Sequence, residues 1–240
     1  MPIPDKREYY SRSEVAESYY HFSFGGRSGQ WVEEREADLL LALIGPAKSV
    51  LDLGCGEGRL LRRLSGRGRV VGGDVSLAML KIAQRQGTPA VVGTDAFRLA
   101  FADKSFDCVV CSRLFLHYAN PENILREISR VLSDDGWVVF DTFRWSPRTW
   151  LPALSASYDG PLFMNPPDRF QHQLAREGWV VLARKGCFLL PPLICRYLPF
   201  GLVKILAALE TICPDHVFIK DYWKAGKQSW AGEAKSIALP

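Results

Sequence analysis

Five apolar runs bounded by turn residues, SVLDLG, RVVGGD, PAVVGTD, SFDCVVCS and GWVVFDTF, alternate with the helix-patterned segments GRLLRRLS, SLAMLKIAQRQ and PENILREISRVLS. No other feature of the chain limits its fold as strongly. A continuous apolar strand, then an amphipathic helix, then another strand requires a crossover, and right-handed crossovers place helices on both faces of a parallel sheet. The pattern predicts an α/β fold. Two later runs, GWVVLARKGCF and DHVFIKDYWK, read as further strands separated by a long connection. With 240 residues, 48% of them hydrophobic, the chain has enough apolar surface for one large domain.

Helix boundaries agree with the periodicity. Ser76 precedes LAMLKIAQRQ as an N-cap and Gly87 follows it as a stop, while Asn120 is expected to cap PENILREISRVL with Pro121 in its first turn. The formal net charge of +4, with acids and bases interspersed, is too mild to make nucleic acid the default partner. The six cysteines carry no zinc-ligand spacing, so no metal site is expected. Cys108 and Cys111 lie on one strand with side chains on opposite faces and read as buried apolar residues. Free cysteines without an N-terminal signal segment fit a reducing cytoplasm.

The stretch VLDLGCGEGRL holds three glycines at alternate positions, Gly54, Gly56 and Gly58, directly after an apolar run and before a helix. A glycine turn at the carboxyl end of a parallel strand is where open α/β sheets bind ligands. Asp74 ends the next strand about 20 residues on, the place where nucleotide-binding folds carry a ribose-binding acid. A dinucleotide GxGxxG would need glycine at position 59, and Arg59 stands there.

The run D-L-G-C-G-E-G, with Asp52 as its acid, resembles the first motif of the class I S-adenosylmethionine-dependent methyltransferases. VVGGDVSLAML, VVGTDAFRLAFADKSFDCVVCSRLFLHY and NPENILREISRVLSDDGWVVFDTF are similar to the motifs that follow it, and the likeness runs from about Val15 to Phe143. It is strongest toward the ubiquinone and menaquinone type. The resemblance implies a Rossmann-like, doubly wound, mostly parallel seven-stranded sheet with S-adenosyl-L-methionine as cofactor and S-adenosyl-L-homocysteine as product. It assigns Asp52, Gly54, Cys55 and Gly56 to the cofactor loop, Asp74 and Val75 to the ribose, and Met79, Asp95 and Ala96 to the adenine. Ser112 and Arg113 fall at the methionine end, and Tyr19 of VAESYY folds over the cofactor. The family has two glycines before the fifth strand where this chain has Asp135 and Gly136, which implies a changed turn.

Several of these residues carry a second reading. Asp95 also suits the start of a turn, Met79 a helix core, and the tyrosines of EYYSRSEVAESYYHF plain packing. His117, just past the fourth strand, is the best-placed candidate general base for a phenol or enolised carbon acceptor, although a histidine there is more often a packing or positioning residue.

Residues 1–45 are expected to form an N-terminal helical lid segment, 46–225 the methyltransferase domain, and 226–240 a loosely ordered tail. The segment from Phe143 to Asn165 is expected to supply an aromatic pocket wall. CFLLPPLICRYLPFGLVKILAALETIC, about 187–213, is expected to be an apolar helical cap inserted between the last two strands. Its prolines and charges exclude a membrane span. On a helix from Pro199, Lys204, Ala207, Ala208 and Thr211 form a narrow polar or small stripe and leave the rest apolar. Three uses stay open: a cap, a homodimer interface in place of a monomer, or peripheral membrane contact beside Arg184, Lys185, Lys220 and Lys224. The expected activity is O- or C-methylation of a small or lipid-linked hydrophobic acceptor. The alternative is a cofactor-binding, non-catalytic regulatory or scaffold protein.

Overall fold

The computed structural model describes residues 6–88, 90–146 and 162–228. Three helices come first: α1 (Lys6–Ser11), α2 (Ser13–Phe24) and α3 (Gly26–Ile44). The alternating part follows as β1 (Ser49–Leu53), α4 (Arg59–Leu64), β2 (Arg69–Asp74), α5 (Leu77–Arg85), β3 (Val91–Gly93), β4 (Phe106–Cys111), α6 (Glu122–Val131) and β5 (Leu132–Phe143). The last part contains α7 (Pro167–Arg176), β6 (Trp179–Cys187), α8 (Pro192–Cys195), α9 (Phe200–Leu209) and β7 (Lys220–Lys227).

The strands make one seven-stranded sheet in the order β3-β2-β1-β4-β5-β7-β6. β1 to β5 run parallel, and β7 is antiparallel to both β5 and β6. The chain order reverses between β1 and β4, so the carboxyl ends of these two strands flank the crevice where such sheets take ligands.

Alternation along each strand builds two cores. One face carries Val50, Cys108, Val110 and Val139 under Leu40 and Ile44 of α3, Leu61 of α4 and Leu80 of α5. The other carries Leu51, Val109, Cys111 and Phe140 under Ile124 and Ile128 of α6 and Phe170 of α7. Cys108 and Cys111 therefore fill opposite faces. Each such buried aliphatic contributes roughly 1.5–3 kcal/mol over its exposed state. Trp223 stacks on Phe140 at 6.1 Å and donates its indole N–H to Thr142 Oγ1 at 2.8 Å, satisfying the polar atom of a fully buried ring.

Local readings hold at α5, where Ser76 Oγ accepts from the Met79 N–H at 3.2 Å and Gly87 closes the helix at φ 71°. At α6 the cap differs. Pro121 itself is the capping residue and no side chain bonds the first turn, so Asn120 lies outside the helix. The changed turn at Asp135–Gly136 lies inside the span of β5: Phe106 pairs with Leu132 and Cys108 with Trp137, and the intervening residues bulge.

Two boundaries also move. Only α1 and α2 of residues 1–45 lie outside the layered core, because α3 buries Val32, Ala37, Leu40 and Ile44 against the sheet. Gly226 and Lys227 belong to β7; the rest of the proposed tail, 229–240, and residues 147–161 of the proposed aromatic loop lie outside the described residues. Among the described residues no helix is long and apolar enough to cross a membrane.

Candidate active site

After Leu53 the chain turns through Gly54, Gly56 and Gly58 at φ 75°, 54° and 80° before entering α4. Side chains resist these angles. A Cβ on Gly58 would also stand 2.4 Å from Thr88 Cγ2, whereas a Cβ on Gly56 would meet nothing within 4 Å. At Gly56 the backbone angle alone demands glycine, and the space beside it belongs to a cavity.

Asp74 fixes this turn from the end of β2. Its Oδ2 accepts the Gly56 N–H and its Oδ1 the Ser76 N–H, both at 2.8 Å. Burial pushes the Asp74 carboxyl up, and these backbone donors oppose that shift. A carboxylate has further lone pairs, so it can accept from ligand hydroxyls as well.

Asp52, one strand inward, is 1% exposed, and its Oδ2 has no hydrogen-bond partner. Burial raises it to about 7, with Arg59 pulling it down and Asp74 pushing it up. An orphaned buried carboxylate oxygen on a cavity wall suits a cationic or N–H-bearing ligand group. The Cys55 thiol beside it is pushed up by burial, so it is no thiolate nucleophile.

The cavity encloses about 1100 Å³ of empty space, part of it open to solvent. Tyr19, Asp52, Gly54, Cys55, Gly56, Asp74, Val75, Met79, Asp95, Ala96, Ser112, Arg113 and His117 all line it. The structure thus brings every site residue singled out in the sequence to one place. Two of the alternative readings hold at the same time. Asp95 lines the cavity and also accepts the Phe97 N–H at 3.0 Å as the first residue of a turn. Met79 lines it from within the buried face of α5.

Arg113 closes the end nearest β4. Its φ is 58°, a left-handed angle for a bulky residue, held by its N–H donating to Asp141 Oδ1 at 2.6 Å. Its guanidinium lies over the Phe24 ring at 4.4 Å and 3.3 Å from Glu36 Oε2. Glu36 is fully buried and also meets Lys220 at 2.6 Å and Arg59 at 3.7 Å. Although burial opposes it, the cations Arg113, Lys220 and Arg59 hold the Glu36 carboxyl far below its ordinary value. Lys220 reaches Asp141 at 2.9 Å as well, so one buried charge cluster fixes both the backbone and the side chain of Arg113.

α1 lies across the cavity mouth. Arg7 pairs with Asp95 at 2.9 Å, the Tyr10 carbonyl accepts the Ser76 hydroxyl at 2.6 Å, and Lys6 Nζ stands 2.9 Å from His117 Nδ1. Lys6, Arg7 and Tyr10 line the cavity and escaped the sequence reading, because a six-residue helix carries no usable periodicity. The run KREYY, with two cations beside two aromatics, was the available signal.

A second cavity adjoins the first. Tyr10, Tyr19, Arg113 and His117 line both, and Phe22, Phe143, Leu162, Pro191 and Pro192 give the second its apolar walls. Of the segment expected to give an aromatic pocket wall, Phe143, Ser146 and Leu162 line this cavity, and Phe143 is the one aromatic ring among them.

Residues 51–140 match the methyltransferase domain family. The chain is 35% identical to an uncharacterized protein of Methanocaldococcus jannaschii over 145 residues, 60% of this chain and 54% of that one. It is 33% identical to a ubiquinone biosynthesis O-methyltransferase of Chromobacterium violaceum over 137 residues, 54% of this chain and 57% of that one. The chain spans little more than half the length of these curated relatives. In fold, the chain is similar to geranyl diphosphate C-methyltransferase from Streptomyces coelicolor, solved with Mg2+, geranyl diphosphate and S-adenosyl-L-homocysteine. That match has a TM-score of 0.68 at 18% identity and covers 94% of this chain and 100% of that chain.

Proposed function

We propose that this chain is an S-adenosylmethionine-dependent methyltransferase that methylates a small or lipid-like hydrophobic acceptor on oxygen or carbon. One observation carries the reading: the cavity lined by the glycine turn, Asp52 and Asp74 shares Tyr10, Tyr19, Arg113 and His117 with a second cavity walled by apolar Phe22, Phe143, Leu162, Pro191 and Pro192. The O-methyltransferase relative and the C-methyltransferase of like fold support the acceptor classes.

When bound, S-adenosylmethionine supplies a methyl group that its sulfonium already activates for in-line displacement. Asp74 would hold the ribose hydroxyls, Asp95 and Ala96 the adenine edge with Met79 and Val75 beside it, and Asp52 the amino end of the methionine. The residues' remaining task is placement and exclusion of water, which accounts for several kcal/mol of barrier lowering. Tyr10, Tyr19 and Arg113 form the partition where the acceptor meets the cofactor cavity, with α1 and α2 as its lid.

His117 handles the acceptor's proton. With Lys6 donating to Nδ1, the ring proton lies on Nε2, so His117 accepts a proton at Nδ1 only once Lys6 withdraws. While α1 is latched, it donates from Nε2 and orients the acceptor instead.

The test is transfer of labelled methyl from S-adenosylmethionine to a series of phenols and quinols with apolar chains of increasing length. Turnover that rises with chain length supports the reading. Cofactor binding with no turnover on any of them would favour the non-catalytic alternative.

A further inference from the structure

The segment between β6 and β7 does not place its apolar side chains where a cap would. α9 packs on α3 through Val203, the one fully buried residue it has, and among the described residues neither it nor any residue after Pro192 in this segment lines either cavity. Leu202, Ile205 and Leu209 of α9, with Ile212 just past its end, continue one helical spacing and are 41%, 58%, 42% and 79% exposed. Ile194, Tyr197 and Val217 extend the patch, so seven of the eleven exposed large hydrophobic residues among those described lie within 194–217. Soluble surfaces do not ordinarily concentrate apolar side chains in this way.

The charges around the patch differ from those expected in the sequence. Lys220 is buried against Glu36 and Asp141, Lys224 lies half-buried over Trp137, and Arg184 is bound to Asp215 and Asp221. Of the cations expected there only Lys185 is exposed; beside the patch Arg27 and Lys204 are exposed and Arg196 is half-buried. These last three lie over the rings of Phe200, Phe22 and Tyr197, and none has a carboxylate partner among the described residues. The segment's two acids turn to other cations, Glu210 to Arg35 at 2.6 Å and Asp215 to Arg184 at 2.7 Å. What remains outward is apolar and positive.

We infer that this face docks on an anionic lipid surface and delivers the acceptor from it; the delivery step rests on the reading of the second cavity as the acceptor's. The face is continuous with that cavity's mouth, since Pro191 and Pro192 line it at the start of α8 and Phe22, also a lining residue, lies 4.6 Å under Arg196. A two-fold interface between copies would set these cations against their own counterparts, whereas anionic headgroups neutralise them. The inserted side chains bury apolar surface while Arg and Lys stay at headgroup level.

Flotation of the full chain with vesicles of phosphatidylcholine alone or of equal phosphatidylcholine and phosphatidylglycerol tests this, and needs neither cofactor nor acceptor. The wild type is expected to float with the anionic vesicles, at least roughly tenfold better than with neutral ones, and less as NaCl rises. Arg27→Gln with Lys204→Gln, and separately Ile205→Ser with Leu209→Ser, should each cut the affinity on the order of tenfold and leave S-adenosylhomocysteine binding unchanged. Hydrogen exchange on the wild type should slow at 196–212 when anionic vesicles are added. Absence of flotation, or no slowing in that segment, would overturn the inference. So would a concentration-dependent dimer that Ile205→Ser with Leu209→Ser dissolves without changing flotation.

Discussion

Gly56 and Asp74, 18 residues apart and on neighbouring strand ends, are joined by a 2.8 Å hydrogen bond in which the glycine N–H donates to the carboxylate. The acid that would meet the ribose also holds the loop that would meet the rest of the cofactor. Asp74→Ala leaves the Gly56 and Ser76 N–H groups unpaired and should destabilise the protein by roughly 1–3 kcal/mol in urea titration. Asp74→Asn keeps one acceptor oxygen and should lose less. Equal unfolding midpoints for all three proteins would contradict the tie.

Asp52 should make the ligand-free protein less stable as pH rises. Its folded value of about 7 exceeds the ordinary carboxyl range, so the folded protein keeps a proton there that the unfolded chain has released. Stability from this group is full below about pH 4 and is lost as pH climbs through about 7. Asp52→Asn removes that slope: it should match wild type near pH 4 and exceed it at pH 8, by an amount on the order of a few kcal/mol, while binding S-adenosylhomocysteine more weakly. Parallel stability curves for the two proteins would rule this out.

The parts legible in the sequence were those in which local chemistry and long-range packing point the same way. β1, the glycine turn and Asp74 could be placed because backbone angle, strand end and ligand space all act on the same few residues. The buried cluster at Glu36 could not, since Glu36, Arg113, Asp141 and Lys220 come from four distant elements and only the folded sheet brings them together. Lys220 read as a surface cation for the same reason. α9 failed in a different way: its apolar excess was evident, but which face would be buried depended on where α3 lies.

Glu36 is the anion that keeps Arg113 and Lys220 compensated inside the protein. Glu36→Ala strands buried cations and should cost about 3–5 kcal/mol, read as a lowered denaturation midpoint. Because the folded carboxyl is held far below its ordinary value, this stabilisation is present above about pH 4.5 and fades as pH falls below that. Wild type should therefore converge on Glu36→Gln in acid. A variant as stable as wild type at neutral pH would show that the cluster is not held by this residue.

On the proposed reading, the Lys6–His117 contact couples the lid to the acceptor's proton. Lys6→Met frees Nδ1 of its donor, so the pH dependence of turnover should move while the affinity for S-adenosylhomocysteine changes less than about threefold. His117→Gln should lower kcat by roughly 100-fold if the ring takes the proton, and by far less for an acceptor that needs no base. An unchanged pH profile in Lys6→Met would separate the lid from proton handling.

Calorimetric titration of wild type and Asp74→Ala with S-adenosylmethionine and S-adenosylhomocysteine tests the cofactor cavity most directly. Wild type should bind both with one site per chain, and Asp74→Ala, still folded by circular dichroism, should lose at least roughly 100-fold in affinity, as charge-assisted bonds to two hydroxyls would give. A wild-type chain that binds neither molecule would contradict the assignment of this cavity and the methyl-transfer reading built on it.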